Sequence, residues 1–147
     1  MRFESVQDVA SIATAVGVFF AAIQLWYTRV RAITTFEDTL ANSYREITAQ
    51  LSTAALLGEA LSSEVQAEHL HDFYQYFDLT NNQIFLRKIG RISKKTWAFW
   101  AEGIGTNLGR PAFAGAWAEI SRRAGSDFAE LRQLIDEGFT SDPKKWE

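Results

Sequence analysis

The chain has no cysteine, two prolines, one methionine and two histidines among its 147 residues. Without cysteine there is neither a disulfide framework nor a thiolate metal site, and the composition fits a reducing compartment. Two prolines and the lack of any low-complexity tract argue against disordered linkers. A basic surplus is missing too. Fifteen lysines and arginines face eighteen acids, a net charge of −3, which lacks the electrostatic footprint of a bulk nucleic-acid binder. No fixed-period repeat is present, and no stretch alternates as a strand would. What is abundant is aromatic: 14% of the residues, five of them tryptophan, demand a core or an interface.

The longest uncharged stretch is VASIATAVGVFFAAIQLWYT, the twenty residues from Val9 to Thr28, followed at once by Arg29 and Arg31. A helix of that length rises about 30 Å, the thickness of a bilayer's hydrocarbon core. Val9, Ile12, Val16, Val18, Phe19, Phe20, Ile23 and Leu25 together favour insertion by about 3–4 kcal/mol, a margin that one central charge would cancel. Trp26 and Tyr27 suit the headgroup level, and Arg29 and Arg31 can snorkel from just beyond it. The stretch is therefore expected to be a transmembrane anchor. Its basic C-terminal flank, set against Arg2, Glu4 and Asp8 on the other side, places the following domain in the cytoplasm, at the inner membrane. A buried core helix and a cleaved signal peptide are the alternatives. The first is rarely this long in so small a domain, and the second needs a basic leading region that is acidic here. Ala13, Gly17 and Ala21 recur every four positions, with Gln24 below them. This small-residue face lets membrane helices approach closely, as a homo-oligomer or against another membrane protein.

Residues 29–147 suffice for one helical domain. Ile33, Phe36, Leu40, Tyr44, Ile47 and Leu51 form one apolar stripe on a helix that continues the anchor. Ser52 to Ser63 reads as a turn with a short helical piece, and Ser63 with Gln66 as a capping box for a helix running to Lys88 or Ile89. Thr80-Asn81-Asn82 is expected to bend that helix and Gly90 to stop it. Ser93 should cap a helix from Lys94 to Leu108, and Pro111 should open another that ends at Gly125. Asp127 with Glu130 should open the last helix, and Asp142-Pro143 should close it. The predicted fold is all-α: a single N-terminal transmembrane helix (1–28) running into a small cytoplasmic helical bundle (29–147).

Catalytic and cofactor patterns are sparse. His69 and His71 stand two residues apart, about 200° around a helix, so they cannot share a metal ion without breaking it. Glu64, Glu68 and Asp72 offer the nearby carboxylates. Gly103 to Gly109 lacks the spacing, preceding strand and lysine of a phosphate loop, and helix packing accounts for it better. No serine elbow or cysteine nucleophile exists. No enzyme activity, metal or cofactor is expected. One charged feature does stand out: Arg87, Lys88, Arg91, Lys94 and Lys95 put five cations within nine residues around Gly90. They form either a solvated turn or a contact for anionic lipid headgroups, a phosphorylated ligand or an acidic partner.

The run DFYQYFDLTNNQIFLRKIGRISKKTWAFW, followed by GIGTNLGRPAFAGAW, resembles a group of small uncharacterised bacterial proteins. These proteins have one N-terminal membrane helix, a continuing helix containing Phe36-Glu37-Asp38 and a short helical domain. The likeness covers nearly the whole chain and rests on Gly90, Trp97, Trp100, Pro111 and Trp117, all structural markers, so it implies an architecture and no activity. The functional expectation is a non-catalytic, membrane-anchored interaction or scaffold module, a subunit of a membrane complex. The alternative is a self-associating, pore-like effector whose helical domain senses an anionic ligand.

Overall fold

A computed structural model describes residues 2–146, with the helical backbone alone for residues 2–13. Among the described residues the chain is all helical. The order is α1 (Arg2–Thr48), α2 (Thr53–Leu56), α3 (Ser63–Glu68), α4 (Leu70–Lys88), α5 (Lys94–Leu108), α6 (Pro111–Arg123) and α7 (Ala129–Asp136), then a 3₁₀ turn at Pro143–Lys145. The chain divides into two compact units, Met1–Phe36 and Glu37–Glu147.

The first unit is a helical segment alone. Val16, Val18, Phe19, Phe20, Leu25, Trp26 and Tyr27 are exposed, and a methyl built at Gly17 meets nothing within 4 Å. Among the described residues no helix is long and apolar enough to cross a membrane. The expected transmembrane anchor is therefore unsupported by these residues. The reason is length: the uncharged part with described side chains, 14–28, rises only about 22 Å before Arg29. Val9 to Ala13, the start of the expected span, lie outside the residues whose side chains are described, as does the Ala13 end of the small-residue face.

In the second unit α4 is the central element, in contact with α3, α6, α7 and the 3₁₀ turn, while α6 also meets α5 and α2. Its core is aromatic. Phe73, Tyr76 and Phe77 of α4 and Phe113 of α6 are fully buried, and their rings meet edge to face. Centroids lie 5.1 Å apart for Phe73–Phe113, 5.0 Å for Tyr76–Phe113 and 5.1 Å for Phe77–Trp117, the geometry that ring quadrupoles favour. Trp117 and Tyr74 extend the chain of rings to Phe128. The stripe on α1 buries Leu40 and half-buries Tyr44 and Ile47, and Leu51 just beyond is buried, so within this unit it serves as a core face.

Local signals hold at most boundaries. Ser93 accepts a hydrogen bond from the Thr96 N–H, Pro111 stands in the first turn of α6, and Gly90 takes a φ of +78° that a side chain would strain. Three expectations fail. The helix from Ser63 is cut at His69, and its cap is Ser62, which accepts from the Val65 N–H. Gln66 lies against α6 instead, its amide 2.6 Å from a methyl built at Gly115. Thr80-Asn81-Asn82 does not interrupt α4: the Thr80 hydroxyl donates to the Tyr76 carbonyl one turn back. Asp127 does not cap α7, whose first residue follows Phe128 in a left-handed conformation. The cap comes across the fold from Asn81, which accepts from the Leu131 N–H and donates to Glu130.

Candidate functional site

The basic turn becomes a different object once folded. Arg87 is buried, 4% exposed, and forks onto Asp142: Nε donates to Oδ1 at 2.7 Å and Nη2 to Oδ2 at 2.6 Å. Its Nη1 donates to the Ile92 carbonyl at 2.7 Å, closing the turn on itself. Arg87 is thus a clasp and is not available to an external anion, which corrects the expectation for this residue. The guanidinium holds the Asp142 carboxyl below its usual range, and Asp142 also accepts from the Lys144 N–H. This clasp draws Lys144 and Lys145 to the Gly90 turn, with Lys144 Cε 3.8 Å from a methyl built at Gly90. Glu37 fixes the other side, accepting from the Ser93 N–H at 2.6 Å and the Thr96 hydroxyl at 2.7 Å.

The outcome is a basic edge. Arg91, Lys94, Lys95, Lys144 and Lys145 are exposed and Lys88 is half-buried, while the two acids alongside, Glu37 and Asp142, are both engaged. Seven cations, Arg87 included, are drawn together here, nearly half of the fifteen in the chain. This local concentration is not visible in the net value of −3. Ile89 is half exposed among these cations, and Phe99, one turn after Lys95 on the same face of α5, is 76% exposed.

A second site lies between α1, α4 and α5, where a cavity of about 600 Å³ is bounded by Tyr44, Tyr76, Gln83, Phe99, Trp100 and Asn107, with Arg45, Glu102 and Arg110 at its rim. Asn107 is buried and organises it. Its amide donates to the Tyr76 hydroxyl at 2.9 Å and the Tyr44 hydroxyl at 3.3 Å, and its carbonyl accepts from Arg110 at 2.6 Å. No sequence motif marks this set, because its members come from positions 41–110 and meet only in the folded chain. Burial pushes the Tyr76 phenol up to about 12. The folded state therefore holds this proton more tightly than an unfolded phenol near 10. That contribution to stability is complete below pH 10 and is lost as pH rises toward 12. The thermal midpoint of the wild type is expected to fall more steeply above pH 10 than that of Tyr76→Phe; equal slopes would show that the phenol does not report on folding.

The remaining expected groups stay apart. The His69 Nδ1 lies 3.0 Å from Asp72 and the His71 Nε2 3.1 Å from Gln75, and among the described residues no three metal-ligating side chains converge. Gly105 packs against the Phe139 ring, 3.4 Å from its built methyl, within a continuous α5. Trp26, Tyr27, Arg29, Arg31, Gly17, Ala21 and Gln24 are exposed on α1. The chain matches no family model, no curated protein and no solved structure at a significant level.

Proposed function

We propose that this protein is a non-catalytic interaction module held at the inner membrane by α1, with the helical domain on the cytoplasmic side. The supporting observation is the apolar band of α1. Val16, Val18, Phe19, Phe20, Leu25, Trp26 and Tyr27 point to all sides of the helix and are exposed, an arrangement that favours lipid or a partner helix as surroundings. Residues 9–13, uncharged in the sequence, bring the band to about 30 Å. Gly17, Ala21 and Gln24 then offer a face for a second copy or another membrane helix.

Full-length protein is expected to sediment with membranes and to float with liposomes. Phe20→Arg sets a penalty of about 3 kcal/mol against an insertion gain of about 3–4 kcal/mol, and should move most of the chain to the supernatant. A wild-type chain that stays in the supernatant after ultracentrifugation without detergent ends this reading.

A further inference from the structure

We infer that the cavity between α1, α4 and α5 is a small-molecule site for a planar nitrogen heterocycle bearing an anionic group, the chemistry of a nucleoside monophosphate. Three observations converge on it. Gln83 is only 4% exposed, yet among the described residues its amide makes no hydrogen bond to protein, and it lines the cavity. No side-chain polar atom is left both buried and unpaired among the described residues, so the Gln83 amide opens to the cavity, where it presents a donor and an acceptor. Such a pair matches the edge of a heterocycle that offers a carbonyl beside an N–H.

The walls supply the second observation. Tyr44, Tyr76, Phe99 and Trp100 line one cavity of about 600 Å³, a size typical of ligand pockets, and aromatic faces stack on bases whatever their sequence of ring atoms. The Phe99 ring, 76% exposed, forms the outer wall of this cavity. Third, the rim carries two guanidinium groups without a carboxylate partner among the described residues. Arg110 donates to Asn107 and Arg45 to Asn42, at 2.6 and 2.8 Å. Both partners are neutral amides, which orient each guanidinium and leave its charge uncompensated, ready for a phosphate. Glu102, the acid on this rim, can accept from a sugar hydroxyl.

The inference does not depend on the membrane reading and is tested separately. Full-length protein in detergent micelles is titrated with AMP, GMP, CMP and UMP by calorimetry and by side-chain amide NMR. At least one nucleotide is expected to bind with a submillimolar Kd and to shift the Gln83 and Asn107 amide signals. Gln83→Leu should weaken binding tenfold or more without lowering the thermal midpoint, because the Gln83 amide has no hydrogen bond to protein to lose and the apolar replacement is of similar size. Arg110→Gln should weaken binding by a similar factor. Absence of binding by all four nucleotides at 5 mM, undiminished binding by Gln83→Leu, or an identical response to inorganic phosphate alone would each overturn the assignment.

Discussion

Arg87→Ala is expected to destabilise the helical domain by about 3 kcal/mol, since removing one partner of a buried pair strands the other. The value sits at the lower end of the usual range because the Asp142 side chain retains 21% exposure, against 5% for Arg87. The change removes the fork onto both Asp142 oxygens and the donor to the Ile92 carbonyl at once. It frees the last turn of the chain from the Gly90 turn, so the basic edge should disperse along with the lost stability. For a domain of this size the thermal midpoint should fall by about 10 °C. The pH response should change as well. Asp142 titrates below its ordinary 3.8 because Arg87 donates to it; the stability it contributes is present above that pH and is lost as pH falls below it. Arg87→Ala should flatten this acid limb. Adding Asp142→Ala to Arg87→Ala should cost less than the two single changes summed, the mark of a direct pair. Additive losses, or a fall in midpoint of under 3 °C, would show that the fork does not hold the two segments together.

Phe77→Ala carries a comparable effect, about 4 kcal/mol, the usual cost of emptying a Phe-sized space in a packed core. Phe77 is fully buried, and its ring stands edge to face with both Tyr76, at 5.3 Å, and Trp117, at 5.1 Å. Loss of the ring breaks the chain of edge-to-face contacts between Tyr76 and Trp117, which keep only Phe113 and Phe128 respectively on this side of the core, and opens a void between α4 and α6. Urea unfolding should report a lower midpoint with an unchanged slope, because the change affects packing and not the surface exposed on unfolding. A loss below 1 kcal/mol would mean that the aromatic chain from Phe73 to Phe128 is not where the domain's stability resides. A total stability of about 5–15 kcal/mol leaves Phe77→Ala close to the limit of folding.

The features legible in the sequence share one property: each is set by residues within about four positions of one another. The Ser93 cap, the Pro111 start, the Gly90 stop and the stripe through Leu40 and Tyr44 are of this kind. The same local reasoning failed where a distant group intervened. Asp127 looked like a cap for α7, but Asn81, 50 residues away, supplies the acceptor for the Leu131 N–H. Ser63 and Gln66 looked like a capping box, but Gln66 is needed over Gly115. Arg87 read as one of five free cations until Asp142, 55 residues later, took it into the interior.

By itself the amino-acid sequence determined an all-α chain with most of its helix boundaries, an uncharged run ahead of Arg29, a strong aromatic content and a concentration of cations around Gly90. Those properties follow from backbone propensity, side-chain period and formal charge, which need no knowledge of what lies across the fold. Only the tertiary structure decided that Lys144 and Lys145 join the basic edge, that Asn107 ties Tyr44 to Tyr76, and that Gln83 faces a cavity with its amide unpaired. Burial and the pairing of distant groups set whether a polar side chain is a clasp, a cap or an open binding group, and both exist only once the helices have packed.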